Sequence, residues 1–234
     1  MRRIALVVAG ALAIAVTQLT GSAAAQDEPL CGPPGAEVPA TIVGSGTIIG
    51  TAGDDVIVGS DGKDTILGLG GADIICGQGG NDRILGGDGN DVLIGDGVDA
   101  PPFIPSNGQN DDVLIGGPGD DTLAGLGGDD DMLGGPGDDQ LIGMGGVDRI
   151  QGGAGNDTAF GGPLDDRIAG NAGDDTLWGN FGSDSISGGP GDDFIDGDNP
   201  FPPPPDLPFP PGTNTDTCTG GPGDNTIQNC EILG

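Results

Sequence analysis

The chain has 234 residues, of which 52 are Gly and 20 are Pro; aromatic residues make up 3%, and the formal net charge at pH 7 is −31. Gly and Pro at this level are typical of low-complexity chains unless the sequence is periodic. The negative charge argues against nucleic acid and anionic lipid as partners, and the absence of His excludes His-based catalytic triads and zinc-protease helix motifs.

Residues 1–25 have the features of a secretory signal peptide. Two Arg are followed by an apolar run and by the small-residue sequence Ala23-Ala24-Ala25. The apolar run is too short to span a bilayer. We therefore expect a secreted protein without membrane insertion, and four cysteines in a secreted chain predict two disulfides.

Residues 26–49 do not carry the repeat that follows, and they end in the strand-like sequence ATIVGSGTII. Because the open end of a repeat array has to be covered, we interpret this segment as an N-terminal cap. Cys31 lies within the cap and Cys76 lies in the third repeat unit. A Cys31–Cys76 disulfide would connect the cap to the array.

Residues 50–96 consist of nine-residue units, the first five of which read GTAGDDVIV, GSDGKDTIL, GLGGADIIC, GQGGNDRIL and GGDGNDVLI. Within a unit, Gly occupies the first and fourth places, Asp the sixth and an aliphatic residue the eighth. A fixed carboxylate two places before a fixed aliphatic residue predicts a turn that holds a cation, followed by a short strand. Because side chains alternate along a strand, the eighth-place residue should face inward.

The repeat is interrupted twice. A Pro-rich insertion spans residues 97–109, the roll continues over 110–198, and a second Pro-rich insertion spans 199–213. Residues 214–234 hold the last units and a C-terminal cap, which we expect a Cys218–Cys230 disulfide to close. If each insertion lies within one unit, both belong to even-numbered units and leave the same edge of the array.

The acidic residues are almost all Asp, with 34 Asp against three Glu. The shorter carboxylate favours ligands held in tight turns, where Asp can also bond to the local backbone. The candidate metal ligands are the sixth-place aspartates Asp55, Asp64, Asp73, Asp82, Asp91, Asp112, Asp121, Asp130, Asp139, Asp148, Asp157, Asp166, Asp175, Asp184, Asp193 and Asp216.

These units match the glycine-rich nonapeptide G-G-x-G-x-D-x-U-x, and the chain resembles the RTX (hemolysin-type) calcium-binding repeat family over roughly residues 50 to 228. The resemblance implies an all-β fold, a right-handed parallel β-roll or β-helix solenoid of about 17 units with two units in each coil. It also implies several Ca²⁺ ions bound between stacked turns by the sixth-place Asp and loop carbonyls. Leu164 and Asn110 replace fourth-place Gly and Asn225 replaces a sixth-place Asp, which puts the sites at those turns in doubt.

One outward face of the predicted roll is apolar and the other is polar. Ile142, Phe160, Trp178 and Phe194 on the apolar face are candidate interface residues. Such a face is typical of a contact surface for self-association or for an unknown surface or wall partner. Equally, the Pro- and Phe-containing insertions could fold back and cover it.

The sequence therefore predicts a secreted, non-enzymatic calcium-binding β-roll that folds when Ca²⁺ binds. One alternative is a cell-surface or matrix adhesin or spacer that uses the apolar face and the Pro-rich loops. A further alternative, from another class, is a polysaccharide-modifying β-helix enzyme.

Overall fold

The structure is a computed structural model that describes residues 30–31, 38–96, 110–198 and 216–232. Every regular element in these ranges is a β-strand. No helix among them is long and apolar enough to cross a membrane. The predicted signal peptide and both Pro-rich insertions lie outside the described residues.

The strands are short, as the nine-residue period requires. In chain order they are β1 (Leu30–Cys31), β2 (Val38–Pro39), β3 (Ile42–Val43), β4 (Thr47–Ile49), β5 (Val56–Ser60), β6 (Thr65–Gly70), β7 (Ile74–Gln78), β8 (Arg83–Asp88), β9 (Val92–Asp96), β10 (Val113–Ile115) and β11 (Thr122–Gly127). They continue with β12 (Asp131–Pro136), β13 (Gln140–Gly145), β14 (Arg149–Ala154), β15 (Thr158–Pro163), β16 (Arg167–Ala172), β17 (Thr176–Phe181), β18 (Ser185–Ser187), β19 (Phe194–Asp198), β20 (Thr217–Thr219), β21 (Thr226–Gln228) and β22 (Glu231–Ile232).

Apart from the antiparallel β1–β2 pair, the strands form two parallel sheets of ten strands each. The odd sheet contains the odd-numbered strands from β3 to β21, and the even sheet contains the even-numbered strands from β4 to β22. Each strand pairs with the strand two positions along the chain, as when Ile66 pairs with Ile84. One coil is thus two units, which confirms the predicted parallel β-solenoid.

The core between the sheets is a double file of eighth-place side chains, as the repeat predicts. Each coil contributes two of them, and they are 0–2% exposed from Ile57 to Cys218. The files consist of Ile57, Ile66, Ile75, Ile84, Leu93, Leu114, Leu123, Met132, Leu141, Ile150, Ala159, Ile168, Leu177, Ile186, Ile195 and Cys218. Two inward side chains for every 18 residues make a thin apolar core, so the turns have to contribute to stability as well.

The segment interpreted as an N-terminal cap contributes strands to the start of the roll. Within residues 26–49, β3 pairs with β5 and β4 pairs with β6, so this segment adds one strand to each sheet. The disulfide Cys31–Cys76 joins the β1–β2 pair to the outer face of the odd sheet, where Cys31, Val58 and Cys76 are buried together. At the other end, Cys218 is bonded to Cys230, so both predicted disulfides are present.

Both insertions lie between a strand of the odd sheet and the next strand of the even sheet. The first separates β9 from β10 and the second separates β19 from β20. The sheets continue in register past each of them, since β8 pairs with β10 and β18 pairs with β20. The two insertion sites therefore lie at one edge of the roll.

Candidate metal sites in the turns

Every sixth-place Asp occupies the same position in its turn, immediately before a strand. All sixteen are buried, with exposures of 1–8%, although Asp is normally an exposed residue. Those that enter the even sheet line one edge of the roll and those that enter the odd sheet line the other. The structure thus brings the predicted ligands into two files, with neighbours in a file one coil apart.

One carboxylate oxygen of these residues is used to connect successive coils. The backbone N–H of each sixth-place Asp from Asp55 to Asp184 donates to Oδ1 of the sixth-place Asp in the next coil, at 2.7–3.1 Å. The contact is maintained across the first insertion, where the Asp82 amide reaches Oδ1 of Asp112 at 2.7 Å. Oδ1 is therefore part of the scaffold.

The second oxygen, Oδ2, is buried and has no hydrogen-bond donor in fourteen of these residues. The fourteen are Asp73, Asp82, Asp91, Asp112, Asp121, Asp130, Asp139, Asp148, Asp157, Asp166, Asp175, Asp184, Asp193 and Asp216. A buried carboxylate oxygen without a donor is costly, because the water it has lost is not replaced. A buried carboxylate oxygen without a donor, repeated from turn to turn, indicates a position suited to a positively charged partner.

First-place glycines bring carbonyl oxygens close to these orphaned atoms. A Cβ built on Gly86 would lie 2.2 Å from Oδ2 of Asp91 and 2.8 Å from the carbonyl oxygen of Gly116 in the next coil. Gly143 repeats the arrangement with Asp148 and Gly161, at 2.2 and 2.6 Å. Only Gly fits at the first place, and it leaves carboxylate and carbonyl oxygens facing a common space.

Carboxylate and carbonyl oxygens are the ligands that Ca²⁺ prefers, so the residues present fit this ion. No group of three or more His, Cys, Asp or Glu side chains in the described part of the chain is arranged as a metal-binding cluster. A cation in these turns would therefore depend on one carboxylate together with backbone oxygens, which is the donor set that the turns repeat.

Without a cation nearby, burial favours the protonated, neutral form of these carboxyl groups. Desolvation, with repulsion from neighbouring aspartates, raises the pKa of Asp130 from 3.8 to about 10. Desolvation likewise raises the pKa of Asp166 to about 9 and that of Asp112 to about 8. On the opposite edge, the pKa of Asp91 and that of Asp175 rise to about 6 for the same leading reason. The three largest rises in pKa, at Asp112, Asp130 and Asp166, thus lie on the edge that carries the insertions.

The first two sixth-place aspartates are an exception. Oδ2 of Asp55 accepts hydrogen bonds from the N–H of Thr51 at 2.7 Å and from its hydroxyl at 2.9 Å. Ser60 makes the same two contacts with Asp64, at 2.7 and 2.9 Å. The second-place hydroxyl residues thus supply donors that the other turns lack, a role that the sequence pattern did not reveal.

The three departures from the repeat are accommodated in different ways. Leu164 and Asn110 take up the left-handed backbone that fourth-place Gly adopts in most other turns, with φ of 90° and 65°. Asn225 keeps the scaffold role, since its Oδ1 accepts from the Asp193 amide at 2.8 Å. Its amide nitrogen donates to the Gly221 carbonyl at 3.0 Å, in the last turn of the odd-sheet file.

A second, exposed file of hydrogen bonds runs beside the sites. The Oδ1 atoms of fifth-place Asp or Asn residues accept from the fifth-place amide one coil further on, as from Asp138 to Asp120 at 3.0 Å and from Asn156 to Asp138 at 2.7 Å. Adjacent aspartates such as Asp120 and Asp121 therefore have separate roles, since only the sixth-place carboxylate is buried.

The candidate interface residues lie on the outer face of the odd sheet. Ile142 is buried, whereas Phe160, Trp178 and Phe194 are half-buried. The Phe160 and Trp178 rings stack with centroids 4.5 Å apart, and Phe194 lies 6.0 Å from Trp178 in a tilted arrangement. The structure thus gathers three of the four residues into one aromatic cluster, and nothing bound to it identifies a partner.

A family profile describing the RTX calcium-binding nonapeptide repeat matches residues 43–75, 71–99, 106–141, 142–163 and 160–195. These segments cover more than half of the chain and include most of the orphaned carboxylates. No protein with a curated description gives a significant match.

Proposed function

The chain belongs to the RTX calcium-binding nonapeptide repeat family, and we propose that it is a secreted, non-enzymatic protein whose roll becomes ordered when it binds several Ca²⁺ ions. The fourteen buried Oδ2 atoms without donors carry this proposal. Bound Ca²⁺ supplies positive charge and accepts oxygen ligands, and a metal site of this kind couples binding to folding.

The residues that would hold the ions are the sixth-place aspartates together with carbonyl oxygens of the turns. The aspartates entering the two sheets give two files of sites, one along each edge. Their Oδ1 atoms keep adjacent coils in register, while their Oδ2 atoms face the space left by the first-place Gly. Ion binding at one turn therefore also stabilises the coil that follows it.

Secretion is supported by the sequence of residues 1–25 and by the two disulfides, which persist in oxidising compartments. Where calcium is scarce, the highly acidic chain would remain unfolded by self-repulsion. Outside the cell, an affinity on the order of 10⁻⁴ to 10⁻³ M is enough for an extracellular module. We assign no catalytic activity, because the repeated carboxylates have scaffold and ligand roles in the same turns.

A second candidate function is adhesion or spacing through the odd-sheet face. The half-buried cluster of Phe160, Trp178 and Phe194 favours it, since exposed aromatic residues are enriched at contact surfaces. Replacing Phe160 and Trp178 by Ser should abolish self-association in sedimentation while calcium binding is retained. An unchanged monomer before and after would argue against self-association.

Far-UV circular dichroism of the secreted chain, with both disulfides intact, tests the main function. Calcium should produce a cooperative transition from coil to β-structure that a chelator reverses and that magnesium does not reproduce. A chain that is fully β-structured in chelator and unaffected by calcium would contradict the proposal.

A further inference from the structure

Asp96 is a buried carboxylate outside the repeated ligand positions. It ends β9 and occupies the second place of the unit that the first insertion interrupts. Its side chain is 1% exposed, and it lies in register with Gln78 of the preceding coil. The scaffold hydrogen bonds between coils do not use it.

Both carboxylate oxygens of Asp96 are buried and make no hydrogen bond of ordinary length, although the nearby Gly127 amide and Asn110 side chain partly offset the rise in its pKa that burial causes. In this respect it differs from the sixth-place aspartates that follow Asp55, where Oδ1 is bonded and at most Oδ2 is orphaned. A Cβ built on Gly127 would lie 3.4 Å from Oδ2 of Asp96, so this oxygen faces the next coil. Because both oxygens are buried without a close donor, a positive partner would stabilise the charged form of Asp96.

The surroundings of Asp96 are acidic. Its charge disfavours ionisation of Asp112 and Asp130, and Asp82 has the same effect on Asp96 itself. Oδ2 of Asp112 faces Gly95, the neighbour of Asp96, together with the carbonyl oxygen of Gly125; they lie 2.1 and 2.9 Å from a Cβ built there. Oδ2 of Asp112 and the Gly125 carbonyl oxygen therefore lie beside Gly95, the residue that precedes Asp96 in the chain.

We propose that Asp96 and Asp112 together form a two-carboxylate site for Ca²⁺ at the start of the first insertion, and that this site fills before the single-carboxylate turns. The inference rests on the proposed function, because it assigns Asp112 the ligand role of the other sixth-place aspartates. A second carboxylate increases affinity, since the affinity of calcium sites depends on their number of charged ligands.

The second insertion provides an internal comparison. Asp198 occupies the corresponding second place, at the end of β19, but its side chain is only half-buried. Its negative charge helps to raise the pKa of Asp184 and of Asp216, the sixth-place aspartates before and after the second insertion on the same edge. Because water reaches this carboxylate, its contribution to ion binding should be smaller than that of Asp96.

Equilibrium dialysis against graded free Ca²⁺, with bound calcium counted by mass spectrometry, tests the site. The wild-type chain should bind its first ion at a free concentration on the order of tenfold below that of the remaining ions. Asp96→Asn should lose this first step and reach wild-type β-structure at saturating calcium. Asp88→Asn, which removes an exposed carboxylate from the adjacent strand β8, should retain it.

The outcomes separate the two proposals. A wild-type chain that binds no calcium contradicts the proposed function itself. If Asp96→Asn still binds its first calcium ion at the wild-type concentration, the two-carboxylate site is overturned. Asp96 is then a neutral buried acid. If Asp96→Asn does not fold at saturating calcium, Asp112→Asn carries the test, because a shared site predicts loss of the same step there and an unchanged step overturns it.

Discussion

The first coil of the repeat, formed by β5 and β6 and called the first coil below, and the interior of the roll contain the same aspartate in the same turn but satisfy it differently. In the first coil, Asp55 and Asp64 receive two hydrogen bonds each on Oδ2, from Thr51 and Ser60. From Asp73 onward, Oδ2 is buried and has no donor. A carboxylate at the repeated sixth place thus does not by itself require a cation, because the residue four places earlier can donate hydrogen bonds to it.

The second-place residues of the two regions also differ in backbone conformation. Leu69 and Gln78 have φ of 84° and 87°, whereas Thr51 and Ser60 are not in the left-handed region. In the first coil, the second-place N–H points at the carboxylate of its own turn. We therefore expect the first coil to depend on calcium least and the interior to depend on it most.

Acidification in chelator should give the largest effect, because it acts on all the interior sites together. A carboxyl group whose pKa is raised by folding stabilises the fold fully below its unfolded pKa, here 3.8, and loses that contribution as the pH rises through its folded pKa. The folded pKa values run from about 6 at Asp175 to about 10 at Asp130. The calcium-free chain should therefore contain more β-structure at pH 5 than at pH 8 by circular dichroism.

In calcium, the dependence on pH should be reversed, since protons and Ca²⁺ compete for the same oxygens. The calcium concentration at the folding midpoint should rise as the pH falls from 8 to 5. An identical midpoint at both pH values, or a loss of β-structure on acidifying the calcium-free chain, would show that the buried carboxylates do not control folding.

Neutralising one interior carboxylate should have the next largest effect, and its direction should depend on calcium. Asp130→Asn removes the most strongly desolvated charge, so it should increase β-structure in chelator. It also removes a candidate ligand, so it should raise the calcium midpoint on the order of several-fold. Asp55→Asn is the matched variant in the first coil, where the loss of accepted hydrogen bonds should lower stability equally with and without calcium. If the calcium midpoint shifted equally in the two variants, the first coil and the interior would not differ in their dependence on calcium.

The disulfides should differ in their contribution to the two ends. Cys31–Cys76 closes a separation of 45 residues and Cys218–Cys230 one of 12. The chain-entropy relation gives about 4 kcal/mol for the first and about 3 kcal/mol for the second. Urea unfolding of paired Cys→Ser variants in saturating calcium should therefore show the greater loss for the N-terminal pair. The reverse order would mean that the first coil is not held by its bond to β1.

Removing one hydroxyl should give the smallest effect. Ser60→Ala deletes one of the two hydrogen bonds to Oδ2 of Asp64 and should cost about 1 kcal/mol in the free energy of unfolding. Ser187→Ala, at an exposed position of β18, is the control. If the hydroxyls make the first coil independent of calcium, added calcium should stabilise β5 and β6 more in Ser60→Ala than in Ser187→Ala.

The sequence predicted the architecture because the period determines it. A fixed aliphatic residue at every ninth position can be buried only by stacking, so the eighth-place files and the two parallel sheets followed directly. The two disulfides were also confirmed, Cys31 with Cys76 and Cys218 with Cys230. The metal-ligand role of the sixth-place Asp stays a prediction, supported by the orphaned oxygens.

The sequence could not show which carboxylates are already satisfied. Thr51 and Ser60 are ordinary residues at a variable place, and their effect depends on a turn conformation that the repeat consensus does not encode. Asp96 was missed for a related reason, because it lies at the second place and its burial results from the tertiary fold. The only sign of this role in the sequence was an acidic residue at a variable place directly before an insertion.

Amide hydrogen exchange followed by mass spectrometry tests the central claim most directly, since it measures each coil separately. Strands β5 and β6 represent the first coil and β13 represents the interior. On chelation, protection should be lost from β13 and retained best in β5 and β6, and calcium should restore it. Equal protection of β13 with calcium and with chelator would contradict a roll held together by ions in its interior turns.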